Sequence, residues 1–286
     1  MTLGASERFG RFGLLVGGEG VARLARAKVA VFGLGGVGSY AVEALARAGI
    51  GRLVLVDHDT VEPSNLNRQL FALESTLGRP KVDIAAQRIA DINPDADVDA
   101  RQVRVKAEGE AELQEQARSQ MKSGNEREGR QALAGGESSS PRIYGVSISR
   151  EGALEGTAPL ADLLTPDTDY IVDAIDDLDA KVALIAWAHT AGLPLVSCMG
   201  AARRLRPTGV TVADIADTHT CPLARTVRQR LRARDIRSGV RCVYCTEPPL
   251  PPAIGQARAP LGSTSYLPGI LGLTAAGVVI DELLRS

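Results

Sequence analysis

Three short runs in this chain are apolar at nearly every position: KVAVF at 28–32, RLVLV at 52–56 and the YIV of TDYIVDAIDD, centred on 169–172. Runs of this kind suit strands covered on both faces, as in a parallel sheet, rather than strands with one face in water. Between the first two, SYAVEALAR at 39–47 spaces its apolar residues three and four apart, which predicts a helix with one buried stripe. Strand, helix and strand in that order predict a right-handed crossover. The expected fold is therefore α/β: Rossmann-like, a mostly parallel sheet flanked by helices. Residues beyond about 194 are expected to extend the sheet, with antiparallel strands among them, and to form a C-terminal substrate-binding extension over 195–286.

Two segments depart from this pattern. From 106 to 156 the chain reads GEGEAELQEQARSQ, SGNEREGR and AGGESSS, with IYGVSIS at 143–149 as its one strand-like run. So little apolar surface cannot offset the entropy of ordering, and a flexible insertion that decorates the domain is expected. Near the end, LPGILGLTAAGVVIDELL at 267–284 is apolar enough to raise the question of a membrane. Its proline, three glycines and Asp281-Glu282 pair favour a buried terminal helix instead.

Composition fits a cytoplasmic enzyme with one large domain over 1–286: 44% of the residues are hydrophobic and 23% charged. Glu7, Arg8 and Arg11 interrupt any apolar targeting stretch at the N-terminus. Four cysteines without such a stretch suggest reduced thiols rather than a disulfide framework.

The chemistry begins between the first strand and its helix, at GLGGVG. Gly33, Gly35, Gly36 and Gly38 allow the backbone to approach an anion, and the helix start offers free N–H groups and a positive dipole end. Asp57 ends the next strand at the distance expected of a ribose-binding acid, so a dinucleotide such as NAD is one reading. Further on stand Asp59, Asn65, Arg68, Gln69 and Lys81. A dinucleotide site has little use for two cations here, whereas a triphosphate attacked at its α-phosphorus has much use for a guanidinium and an ammonium. After the third strand, Asp176 is suited to hold Mg²⁺ through one carboxylate and several waters. The plainer alternative is that Asp176 or Asp177 caps the helix that begins near Leu178; a structural role of that kind is favoured for Asp173, and the metal for Asp176.

Taken together, these residues resemble the adenylating enzymes of the HesA/MoeB/ThiF family, which includes the ubiquitin-activating enzymes. The resemblance implies that Gly33 to Gly38 bind ATP, that Asp57 (first of the D-x-D pair with Asp59) holds the ribose, and that Asn65, Arg68 and Lys81 contact phosphates. It also implies Mg²⁺ on Asp176 and a homodimer whose partner subunit lends an arginine; Arg11 of ERFGRF matches that position, with Arg8 as second candidate. Segments outside the common core, among them NLNRQLFALESTLGRPKV, PLVSCMGAARRLRPTGVTVADIADT, CPLARTVRQRLR and GVRCVYCTEPP, are similar to the branch that dehydrates threonylcarbamoyladenosine in tRNA. That likeness implies ATP-dependent activation of the threonine carboxylate as an acyl adenylate, followed by ring closure. The alternative is adenylation of the C-terminal glycine of a ubiquitin-like sulfur-carrier protein.

Charge distribution bears on the acceptor. Residues 201–241 hold ten arginines and three aspartates, +7, so the rest of a chain whose net charge is −1 carries −8. A concentrated basic patch is the footprint of a phosphate-backbone binder, and tRNA fits. In the helix opened by Pro222, a buried stripe of Leu223, Val227 and Leu231 leaves Arg225, Arg228 and Arg232 on exposed faces. Solvated arginines paired with acids elsewhere are the plainer alternative.

Family members of the ThiF and MoeB kind carry two C-x-x-C pairs for zinc, and this chain has one, Cys242 to Cys245, read as incidental. The dehydratase-like pattern also has a cysteine at Cys242, and neighbouring arginines are expected to draw it towards thiolate; a packed core thiol is the equal alternative. His58, His189 and His219 have no metal-ligand spacing, and no residue stands out as general base.

Overall fold

The computed structural model describes residues 5–105, 157–251 and 261–286. The segment expected to be an insertion, 106–156, lies outside them. Strands β1 (Lys28–Phe32) and β2 (Arg52–Val56) match the first two apolar runs. Then come β3 (Asp97–Arg101), β4 (Arg104–Val105), β5 (Thr157–Ala158), β6 (Tyr170–Asp173), β7 (Leu195–Cys198), β8 (Val210–Asp214) and β9 (Arg241–Cys245). The helices are α1 (Ala5–Arg8), α2 (Gly10–Arg26), α3 (Gly38–Arg47), α4 (Lys81–Ile92), α5 (Leu160–Leu163), α6 (Leu178–Ala191), α7 (Pro222–Arg232) and α8 (Leu267–Arg285).

Seven strands make one sheet in the order β3-β2-β1-β6-β7-β9-β8. Every neighbouring pair is parallel except β8 with β9, the antiparallel strand expected from the C-terminal part. β4 and β5 pair in parallel apart from it. Side chains alternate across the strands, as a period of two requires. Val29, Val31, Leu53, Leu55 and Val172 join a core with α3, α4 and α8 on one face. Ala30, Phe32, Val54 and Ile171 join Leu184 and Trp187 of α6 on the other.

α6 is apolar around nearly its whole circumference and is buried from Ala180 to Ala188, because it packs on the sheet with one side and on α7 with another. α8 is long and apolar enough to cross a bilayer by length and composition. Here Leu267, Leu271, Ala275 and Val279 are fully buried against the sheet and α3, the place expected of a core helix. Its approach to α3 depends on Gly272, where an added Cβ would stand 2.1 Å from the Val37 carbonyl oxygen.

Candidate active site

From β1 the chain proceeds to β2 and β3 on one side and returns to β6 on the other, so the connections diverge between β1 and β6. In open α/β sheets ligands bind outside the carboxyl ends of the strands at such a point. The glycine turn lies there. Gly33 has φ +86°, and a Cβ on it would come 2.6 Å from the Ala174 carbonyl oxygen of the loop after β6. A Cβ at Gly38 would come 1.7 Å from the Gly33 carbonyl oxygen, so these two glycines are needed for the turn to close. Gly35 is freer: its nearest neighbour would be Gln69 Nε2 at 3.7 Å. At Gly36 the stem of Arg68 passes within 3.3 Å of the added atom, which brings that arginine alongside the turn.

Asp57 ties the turn to β2. Its carboxylate accepts from the Leu34 N–H at 2.5 Å and from the Asp59 N–H at 2.8 Å. Burial pushes its pKa up, against the lowering influence of Lys81 and of those two N–H groups. Asp59 behaves oppositely: partial burial raises it, but the Lys81 ammonium at 2.8 Å brings it below the usual value. Lys81 is buried at the first position of α4. Arg68 donates to the Ser64 carbonyl at 2.8 Å and is half-buried. Asn65 is buried, its amide engaged by the Glu62 N–H and the Ser64 hydroxyl within its own turn. Asp57, His58 and Asp59 also present ligand atoms within 4.8 Å of one another, a grouping that the spacing of the three histidines did not suggest.

Asp173 ends β6, Asp176 and Asp177 follow it, and the fold gives the three different surroundings. Asp173 is fully buried; Lys181 Nζ donates to it at 2.7 Å, Ser197 Oγ at 2.6 Å and the Ile175 N–H at 3.1 Å. Asp177 caps α6 by accepting from the Ala180 N–H at 2.9 Å. Asp176 is exposed, with no side-chain partner among the described residues. Its carboxylate is thus free to join a hydrated cation.

Other expected site residues are differently placed. Cys242 is wholly buried, its thiol directed to the Val240 carbonyl at 3.5 Å, and burial pushes its pKa far up despite Lys181 nearby. The thiolate expectation is corrected: burial dominates at this sulfur, and among the described residues no arginine is one of the charges that act on it. Cys198 beside it is pushed up to about 12, also by burial. Cys242 and Cys245 face opposite sides of β9 into different cores, since positions three apart on a strand point away from each other. That separates the two thiols of the C-x-x-C.

On α7, Val227 and Leu231 are buried and Leu223 is partly covered, close to the expected stripe. Arg225 and Arg232 are exposed. Arg228 corrects the reading of an exposed trio: it is half-buried and donates to the Thr218 carbonyl at 2.7 Å and hydroxyl at 2.5 Å. Arg230 pairs with Asp179. Arg11 is exposed on α2, near Leu14 and Leu15, which are 87% and 83% exposed. Lys181 and Ser197 escaped the sequence reading. The available signal was a lone lysine in the otherwise apolar stretch AKVALIAWA.

A glycine turn, an acid on β2, a guanidinium beside the turn and an ammonium at the start of α4, all at one switch point, define the site of a nucleotide-dependent adenylating enzyme. Residues 11–122 match the model of the ThiF family. The tRNA threonylcarbamoyladenosine dehydratase of Bacillus subtilis is 35% identical, over 98% of this chain and 96% of that protein. The crystal structure of E. coli tRNA N6-threonylcarbamoyladenosine dehydratase in complex with ATP superposes with a TM-score of 0.73 at 28% identity, over 100% of this chain and 98% of that one. Its complex with AMP gives 0.74 at 28% identity over the same shares. This chain belongs to the ThiF family of adenylating enzymes, in the branch of the tRNA threonylcarbamoyladenosine dehydratases.

Proposed function

We propose that this protein uses ATP and Mg²⁺ to convert threonylcarbamoyladenosine, next to the anticodon of tRNA, to its cyclic form. The carboxylate of the threonine moiety attacks the α-phosphorus of ATP, pyrophosphate leaves, and ring closure on the acyl adenylate expels AMP, a net loss of water from the nucleoside. The observation that carries this reading is the convergence of the Gly33–Gly38 turn, Asp57, Arg68 and Lys81 at the β1–β6 switch point, in a chain alike over its full length to named dehydratases. In this reading the turn and Asp57 orient the nucleotide, with Asn65 and Asp59 supporting the phosphate side. Arg68 and Lys81 neutralise charge as it builds on the bridging oxygens. When bound at Asp176, Mg²⁺ supplies further neutralisation of the phosphates, and a single carboxylate free of other partners fits a cation that keeps most of its water.

Arg225 and Arg232 would hold the tRNA backbone, and Arg11 would reach a neighbouring site in a homodimer. The whole chain acts as one adenylating domain in the cytoplasm. Mass spectrometry of nucleosides tests the reaction: with ATP, Mg²⁺ and threonylcarbamoyl-modified tRNA, the modified base should lose one water. Chelating Mg²⁺ should stop it. Adenylation of a glycine-ended small protein with unchanged tRNA would instead favour the sulfur-carrier role. Arg68→Ala and Lys81→Ala should each abolish pyrophosphate release with the fold retained, and wild-type turnover in both would reject the phosphate clamp.

A further inference from the structure

Behind the site lies a fully buried polar cluster that the reaction itself does not use. Lys181 comes from α6, Asp173 from the end of β6 and Ser197 from β7, and all three have no exposed surface. Lys181 Nζ donates to Asp173 Oδ2 at 2.7 Å, to the Cys198 carbonyl at 3.0 Å and to Ser197 Oγ at 3.4 Å, so its three protons are all placed. Ser197 Oγ donates to the same Asp173 oxygen at 2.6 Å. The other oxygen, Oδ1, accepts the Ile175 N–H at 3.1 Å. A buried ion pair of this kind adds little net stability compared with apolar side chains of the same volume. Its geometry, however, is tightly determined.

What that geometry holds is the loop that carries Asp176. Ala174, between Asp173 and Ile175, donates to the Phe32 carbonyl at 2.8 Å. It is also the residue against which the turn closes: its carbonyl lies 2.6 Å from a Cβ built on Gly33, and its Cβ 3.4 Å from one built on Gly38. Rotation of the Asp173 carboxylate would release Ile175, and movement at 174–175 would displace both the glycine turn and Asp176. We infer that Asp173, Lys181 and Ser197 are positioning residues, a locked carboxylate that sets the 174–177 loop and through it the register between the glycine turn and Asp176. The Mg²⁺ consequence rests on the function proposed above; the loop consequence does not.

Two paired substitutions separate positioning from stability. Lys181→Met with Asp173→Asn removes both charges and keeps an acceptor for the Ile175 N–H. Lys181→Met with Asp173→Val removes the charges and the acceptor together. Each is measured for Tm, for amide hydrogen exchange at 174–177, and for the Mg²⁺ concentration that half-saturates pyrophosphate release. The asparagine pair should stay near wild type in all three. The valine pair should exchange faster at 174–177 and need about tenfold more Mg²⁺, a misplacement effect of ordinary size, with Tm close to that of the asparagine pair. If the valine pair does not fold, Ser197→Ala loosens the same carboxylate more gently and should move exchange and Mg²⁺ demand in the same direction. Wild-type exchange and wild-type Mg²⁺ demand in a folded valine pair would overturn the inference. If the unmodified protein consumes ATP without Mg²⁺, the metal role of Asp176 fails, and exchange at 174–177 still decides the positioning role.

Discussion

Two glycines three residues apart in one turn, Gly35 and Gly38, illustrate how unequal similar residues are. Gly38→Ala places a methyl 1.7 Å from the Gly33 carbonyl oxygen, whereas Gly35→Ala meets only the tip of Gln69 at 3.7 Å. Calorimetry with ATP should find affinity reduced by about 100-fold or more in the first and by little in the second, since a displaced turn loses its phosphate contacts together. The motif G-x-G-x-x-G writes both positions alike, and only the close approach of the Gly33 carbonyl to Gly38 tells them apart. Titration behaviour is residue-level as well. Half-burial tends to raise the Asp167 carboxyl, but Thr165, Lys28 and Arg52 hold it down at about 2. A carboxyl depressed in the folded state stabilises above its ordinary value of 3.8, and that contribution disappears as pH falls towards about 2. Asp167→Asn should therefore be the less stable protein at neutral pH, with the two urea midpoints converging between those values. The gap will be small, because solvent screens a half-exposed pair.

Among the elements, α8 and α7 make opposite use of their surfaces. In α8, Gly272→Ala forces a Cβ to within 2.1 Å of the Val37 carbonyl oxygen, and Gly277→Ala meets nothing within 4 Å. Urea unfolding should show the first destabilised by about 1–3 kcal/mol through overpacking. The second should gain roughly 0.5–1 kcal/mol, the usual benefit of replacing glycine inside a helix. In α7 the apolar stripe was legible from its spacing, but the duty of each arginine was not. Arg228→Ala should lower Tm, because the turn at Ile215–Thr218 loses its donor. Arg225→Ala and Arg232→Ala should leave Tm unchanged and weaken tRNA binding, each reducing the salt dependence by about one phosphate contact.

For the whole molecule, the proposed exchange of Arg11 between subunits makes a direct prediction. Arg11→Ala and Arg68→Ala, each inactive alone, should recover about a quarter of wild-type activity when subunits are mixed, since half the dimers then contain one intact site of two. No recovery in mixed dimers would place Arg11 outside the chemistry. The strands at 28–32 and 52–56, the helix after them, the glycine turn and the α/β class could all be read from the sequence, because they depend on local pattern: period, branched side chains and glycine where φ must be positive. Asp57 and Lys81 were legible as chemistry, but not the opposite shifts of Asp57 and Asp59, which depend on how deeply each is buried and on which one meets the ammonium. Tertiary structure alone decided that Asp173 is locked, Asp177 caps and Asp176 faces solvent, though the three stand within five residues of one another. It likewise decided that Cys242 is a buried core thiol and that Arg228 donates to the Thr218 turn. A sequence states which groups are present and at what period they recur; partners distant along the chain set desolvation and hydrogen bonding, and these exist only once the sheet has brought β6, β7 and α6 together.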